Sequence, residues 1–236
     1  MFKKALFSRV ISLSFTVTFS VFIYANTYSS EITSSSTEIS APDKVNDVEI
    51  LSVKQELMKK IEQLSSFKAE FSQKIFDADG KAIQTNAGSL AVSKPNLLHW
   101  QISEPNESLI VSDGKALWLY DPFIEQVSVY SVTDAIINTP ILLLSNPSKI
   151  IWRDYEVERI AKNRYLIKSK NNDSQVKSLE LSFSNNASTQ LEEFVILDAT
   201  GQLSRVKLTN VTKLSTKEND LFRFTVPEGV EIDDQR

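Results

Sequence analysis

The 236-residue chain has no cysteine, one histidine and five glycines. Without cysteine there is no disulfide framework, no thiolate ligation of zinc or an iron–sulfur cluster, no cysteine nucleophile and no lipid attached through sulfur. A single histidine, His99, excludes a multi-histidine metal centre. A basic excess is also missing: the net charge is −4, so nothing offers the broad positive surface that grips phosphates, and no nucleic-acid partner is expected. What the chain does have is 42% hydrophobic residues and 9% aromatic ones, enough to bury a core, and at this length one folded domain is the expectation.

Residues 1–25 carry Lys3, Lys4 and Arg9, no acidic residue, and an apolar stretch from Val10 to Ile23 thinned by serines and threonines. A positive start before a short apolar run reads as a secretory signal peptide, with cleavage expected after Ala25; the run is shorter than the roughly 20 residues of a spanning helix. Cleavage removes three positive charges and makes the mature chain more acidic. Residues 26–44 are rich in serine and threonine, from Thr27 to Ser40, and read as a flexible leader with too little apolar surface to offset the entropy of ordering.

Residues 45–65 change character. Ile50, Val53, Leu57, Ile61 and Leu64 recur at spacings of three and four among lysines and glutamates, which predicts an amphipathic helix needing an apolar surface to lie on. After Ser65 the period becomes two: Phe67, Ala69, Phe71 and Ile75 alternate with Lys68, Glu70, Ser72 and Lys74 up to the Asp79-Gly80 hairpin signal. Further short strands are expected at 90–92, 98–102, 109–111, 117–120, 165–168, 176–183, 191–197, 203–208 and 222–226, divided by Pro, Asn, Asp and Gly. Such spacing predicts a mainly β fold, an antiparallel and strongly curved sheet. Four of the five glycines fall in those turns, leaving none for a phosphate-cradling loop.

One segment breaks the alternation. Thr133–Trp152 holds Ile136, Ile137 and the run Ile141 to Leu144, divided by Pro140 and Pro147. Thr133 or Asp134 is the expected cap of one short helix, and Thr139-Pro140 the start of a second. Two readings fit: a buried core helix, or an apolar cover over a cavity.

Catalytic machinery is hard to find. His99 alternates with Leu98 and Trp100, which predicts a solvent-facing strand position. Ser65-Ser66-Phe67-Lys68 and Ser112-Asp113-Gly114-Lys115 match an S-x-x-K spacing, yet neither opens a helix under a cleft. Asp77-Ala78-Asp79-Gly80 resembles the opening of a calcium loop, but Lys81 and the missing later glutamate favour a plain turn. Asp233-Asp234 reads as a solvated tail. No enzyme activity, metal or cofactor is expected.

Several stretches together resemble one family, the periplasmic carriers of outer-membrane lipoproteins (LolA). They are SSFKAEFSQ at 65–73, KPNLLHW at 94–100, LIVSDGKALWLYDPFIEQ at 109–126, NTP at 138–140 and the ending PEGVEIDDQR at 227–236. The resemblance runs from about Asp47 to the C-terminus, and its SDGKALWLYDPFIEQ block is specific. It implies a half-open antiparallel barrel under a helical lid, with 45–65 and 133–150 as lid within a single domain, 45–236. It implies a periplasmic monomer that takes acylated lipoproteins from an inner-membrane ABC transporter and passes them to an outer-membrane lipoprotein receptor. The other reading on the same fold is an envelope-stress regulator or protein-binding module. The ending and the lack of an added C-terminal domain favour the carrier.

The same resemblance implies site residues. Phe67, Phe71, Leu90, Val92, Leu98, Trp100, Ile102, Trp118, Ile136, Ile137, Ile141, Leu142 and Leu144 would line the cavity and lid. In the family an arginine before Pro-Asn-Leu donates hydrogen bonds to main-chain carbonyls of the lid and latches it. Lys94 stands at that position, and the corresponding acceptors are the carbonyls of Ile61, Leu144 and Ser145. Lysine keeps the charge without the planar fork, so a looser or different latch is expected. Leu98 matches a family phenylalanine near the cavity mouth, where ordinary barrel packing is its other role.

Overall fold

A computed structural model describes residues 44–64, 66–138, 140–146, 148–185 and 189–236. The expected signal peptide and most of the leader lie outside them. The folded unit comprises Glu49–Arg236; residues 44–48, the start of the first helix, fall in a separate N-terminal unit.

Helix α1 spans Lys44–Gln63, close to the predicted 45–65. Then come β1 (Phe67–Phe76), β2 (Ala82–Ser93), β3 (Leu97–Glu104), β4 (Ser108–Asp113), β5 (Ala116–Asp121) and β6 (Gln126–Ser131). A short helix α2 (Val132–Asn138) and the 3₁₀ segments Pro140–Ser145 and Ile151–Asp154 break the strands, which resume as β7 (Tyr155–Ala161), β8 (Arg164–Ser169), β9 (Val176–Phe183), β10 (Leu191–Asp198) and β11 (Leu203–Lys213). A 3₁₀ turn, Thr216–Phe222, leads to β12 (Glu231–Asp234). All twelve strands form one sheet in the order β12-β6-β5-β4-β3-β2-β1-β11-β10-β9-β8-β7.

The sheet curls. Trp100 on β3 and Phe194 on β10 are four strands apart in that order, which on a flat sheet is about 19 Å at ~4.8 Å per strand. Their ring centroids are 5.6 Å apart, with Phe71 of β1 at 5.1 Å from Trp100. The two halves have therefore folded toward each other, while the edge strands β12 and β7 stay unpaired with one another. This is a half-open barrel with short helices over it.

Register places the residues on two faces. Phe67, Phe71, Leu90, Val92, Leu98, Trp100 and Phe194 share the concave face. On the convex face lie Ala91, His99, Val111 and Trp118, cross-strand neighbours in series. The C-terminal segment covers that second face: Leu214, Leu221 and Phe222 pack on Ala91 and Leu97, and Phe224 and Val230 pack beside Trp118, Tyr120, Val127 and Val129.

Five expectations are corrected here. Residues 222–226 are not a strand, because a capping box of Ser215 and Glu218 winds 216–222 into a 3₁₀ turn and residues 223–226 join no ladder. Asp233-Asp234 is not a free tail but part of β12, which runs parallel to β6 and makes the sheet not wholly antiparallel. Strand β7 and the polar first half of β2 were not expected, since few of their residues are buried, and neither was β6, where serines alternate with apolar residues although both its faces are buried. The cap of α2 is Ser131, whose Oγ accepts from the Asp134 N–H at 3.2 Å and donates to the Asp134 carboxylate at 2.7 Å. His99 is half-buried beneath the 216–222 turn rather than facing open solvent, and that burial lowers its pKa.

The capping box carries a pH signature. Glu218 accepts from Lys68 and from the Ser215 N–H and hydroxyl, which pulls its pKa from 4.5 to about 2. A carboxylate depressed in the fold stabilises above its unfolded pKa and loses that contribution as pH falls through the folded one. The 216–222 turn is thus expected to loosen only as pH drops from 4.5 to about 2. NMR titration of Glu218 checks this; a midpoint near 4.5 would show that the cap is not formed in solution.

Candidate functional site

The concave face is an apolar trough. Phe67, Phe71, Leu90, Val92, Leu98 and Trp100 are all buried on it, and Ile102 is half-buried at the rim. Above it, Val53, Leu57 and Ile61 of α1 and Ile136, Ile141, Leu142 and Leu144 of the second lid segment are equally buried. The Ile137 side chain lies outside those described. Leu57, Leu142 and Leu143 have no exposed surface at all, so the lid fills the trough with its own side chains. At about 25 cal/mol per Å² of apolar surface, that self-occupancy competes directly with any apolar guest.

Trp118 does not belong to this trough. It lies on the convex face, stacked on Phe224 at 5.6 Å with the Arg236 guanidinium 6.0 Å from its ring. Residues 116–120, Ala-Leu-Trp-Leu-Tyr, are apolar on both sides, and the odd-even alternation assigns Leu117 and Leu119 to the concave face instead. Trp118→Ala is expected to cost about 2 kcal/mol of stability, less than a fully buried tryptophan, and to leave binding of an apolar fluorophore unchanged. Weakened fluorophore binding in a folded Trp118→Ala protein would return Trp118 to the cavity.

Lys94, at the end of β2, reaches the C-terminal end of α1. Its Nζ donates to the carbonyls of Ile61 at 2.6 Å, Glu62 at 2.8 Å and Leu64 at 2.9 Å. A helix end leaves such carbonyls short of partners, although the Ile61 carbonyl also accepts from the Leu64 N–H at 3.2 Å, and a cation there meets the negative end of the helix dipole. Partial burial pushes the Lys94 pKa down, and the neighbouring Glu62 carboxylate pulls it back up. Ile61 is the one acceptor of the expected three that Lys94 meets. An ammonium has three donors, and all three are used on the last turn of α1 and the residue just past it, so none reaches Leu144 or Ser145. A tetrahedral point charge thus makes a three-carbonyl clamp without a planar fork, on a different set of carbonyls.

The second lid segment has its own tether, two residues along. The Asn96 N–H donates to the Ser145 carbonyl at 3.2 Å, and its side-chain Oδ1 accepts from Asn146 Nδ2 at 2.6 Å. The Asn96 carbonyl accepts from the buried Ser112 hydroxyl at 2.5 Å. Asn96 sits at φ 58°, a left-handed conformation that asparagine tolerates better than most residues. The hairpin Lys94-Pro95-Asn96 therefore holds both halves of the lid, one by the Lys94 side chain and one by the backbone and side chain of Asn96. An asparagine directly after a turn proline is a signal for such a conformation, though not for its acceptor.

The other flank of α1 is strapped to β7 and β8. Lys54 Nζ donates to the Tyr155 carbonyl at 2.8 Å, and Lys60 Nζ donates to Asn163 Oδ1 at 3.2 Å while lying 5.8 Å from the Phe183 ring. Glu56 accepts from the Tyr165 hydroxyl at 2.5 Å and pairs with Arg159. That ion pair is open to solvent and adds little. Burial and the nearby Asp154 push the Tyr155 phenol to about 12, and burial raises Tyr165, so both phenols keep their protons well above neutral pH.

An apolar trough, roofed by helices held through a few polar bonds at their ends, defines a lidded half-barrel of the kind that encloses apolar ligands. The sequence comparisons narrow this class. The model of the outer membrane lipoprotein carrier protein LolA matches residues 62–225. Among curated relatives, the outer-membrane lipoprotein carrier protein of Shewanella halifaxensis is 41% identical over 77% of this chain and 85% of its own, and that of Psychromonas ingrahamii 39% identical over 76% and 86%. A solved LolA superfamily protein from Nitrosomonas europaea superposes with a TM-score of 0.43 at 10% identity, covering 72% of this chain and 98% of that one. The chain belongs to the LolA family of outer membrane lipoprotein carrier proteins.

Proposed function

We propose that this protein is a periplasmic chaperone that carries lipoproteins by enclosing their acyl chains. It would receive them from an inner-membrane lipoprotein-releasing ABC transporter and hand them to an outer-membrane lipoprotein receptor, acting as a monomer and without catalysis. The observation that supports the reading best is the apolar trough roofed by a lid held through a few polar bonds, Lys94 on the carbonyls at the end of α1 and Asn96 on the second segment. Family membership and the expected signal peptide support the compartment.

The physical need is plain. Burial of lipid chain is worth about 0.8 kcal/mol per CH₂, so one long acyl chain exposed to water would cost on the order of 10 kcal/mol. A carrier that recovered all of that would never release its load. Here the lid side chains already occupy the trough, and displacing them sets net affinity below the full transfer energy. Burial and dispersion do this without acid–base groups.

Mass spectrometry of the protein purified from an envelope fraction tests the proposal. Co-purifying acylated lipoproteins are expected, and depletion of the protein is expected to leave lipoproteins at the inner membrane. Exclusively non-acylated partners, with normal sorting on depletion, would sink it.

A further inference from the structure

The buried row of β1 runs Phe67, Ala69, Phe71, Gln73, Ile75, and its one amide is out of place in a hydrocarbon-lined wall. Gln73 is 8% exposed, and Asn86, its register partner on β2, is 3% exposed. Asn86 Nδ2 donates to Gln73 Oε1 at 2.7 Å, Gln73 Nε2 donates to Ser204 Oγ on β11 at 2.6 Å, and Gln84 Nε2 donates to Asn86 Oδ1 at 2.8 Å. The chain of bonds crosses β2, β1 and β11, in the middle of the sheet.

Each primary amide has two hydrogens to donate. On Gln73 and on Asn86 one is spent within the row, and among the described residues no hydrogen-bond acceptor is found for the other. Buried donors left over in a native wall are uncommon and costly. Two such donors side by side match a ligand group that accepts and does not need to donate. Hydrocarbon has no such group; the carbonyl that joins an acyl chain to its carrier has one.

We propose that Gln73 and Asn86 form a subsite for the acyl carbonyl of the cargo, ester or amide. This rests on the carrier reading above and adds a polar anchor to it. Six residues separate Gln73 from Phe67, about 20 Å of strand. A chain held by its carbonyl at Gln73 then lies along Phe71, Ala69 and Phe67 toward the Lys94 clamp. The anchor fixes the direction of the chain in a trough whose apolar surface alone would leave it free to slide.

The test uses the full chain with three probes of equal length competing against a bound apolar fluorophore: methyl hexadecanoate, N-methylhexadecanamide and methyl hexadecyl ether, which lacks the carbonyl. The ester and the amide are expected to bind about tenfold tighter than the ether, the worth of one to two hydrogen bonds. If only one of the two keeps the preference, it identifies the linkage that the subsite reads. Gln73→Met and Asn86→Leu are expected to reduce the preference to within twofold, whereas Lys74→Ala, on the opposite face, keeps it. The stretch of a ¹³C-labelled ester carbonyl is expected to move to lower frequency on binding to the unmodified protein, which reads the contact without any substitution. Equal affinity of all three probes, an unshifted carbonyl, or a preference that survives both substitutions while only the melting temperature falls would overturn the subsite and leave the amides as a register pin. Failure of every probe to displace the fluorophore would overturn the carrier reading itself, and the subsite with it.

Discussion

Gly88→Ala is expected to destabilise the fold by 3 kcal/mol or more, a large share of the roughly 5–15 kcal/mol that holds a domain together. Gly88 is the one glycine outside a turn. A Cβ built there would lie 1.9 Å from the Gln101 carbonyl oxygen and 2.9 Å from Phe71 Cζ. The first neighbour is backbone of the adjacent strand and cannot swing away, so β2 and β3 would have to separate. Ordinary overpacking costs about 1–3 kcal/mol, and a main-chain clash at this distance belongs at or beyond the top of that range. The register of β2 against β3 shifts between Ala87 and Gly88, so the ladder is already irregular at this point. Urea denaturation checks the expectation. A loss under 1 kcal/mol would mean that β2 and β3 are not paired as described.

Lys94→Leu is expected to free α1 while leaving the second lid segment in place. It removes three charge-assisted hydrogen bonds but exposes three carbonyls that water can serve once the helix lifts. The net shift toward the open lid is therefore about 2 kcal/mol, or ~30-fold in population. Hydrogen exchange should quicken across 53–64 and change little at 141–146, because the Asn96 bonds to Ser145 and Asn146 are untouched. Acyl-probe affinity should rise in step, since less of the binding energy goes into displacing the lid. Lys94→Arg keeps charge and reach and should stay close to the parent. Identical exchange and probe binding in all three proteins would remove Lys94 from the latch. Uniform loosening of both lid segments would instead show that the two tethers act as one.

Much of this architecture was legible in the chain. The helix at 44–63 and the strands β1, β3, β4 and β8 to β11 followed from apolar spacing, and the turns at Gly80, Gly114, Gly201 and Gly229 from residues that tolerate positive φ. Strand β6, Gln-Val-Ser-Val-Tyr-Ser, escaped because Val127 and Val129 sit on the convex face, covered by a C-terminal segment a hundred residues later. Trp118 was misassigned for the same reason: in Ala-Leu-Trp-Leu-Tyr both faces are apolar, and a period of two says which residues share a face without saying what covers it.

By itself the sequence determined the chemistry that is excluded, the alternation that builds a curved sheet, and the position of a cation before Pro95-Asn96. Only the tertiary structure decided what that cation holds, which face forms the trough, and that Gln73 and Asn86 meet inside it. The reason is physical. Side-chain pattern is written residue by residue, but main-chain carbonyls are the same at every position, and which of them comes within reach of Lys94 depends on how α1 lies across the curled sheet.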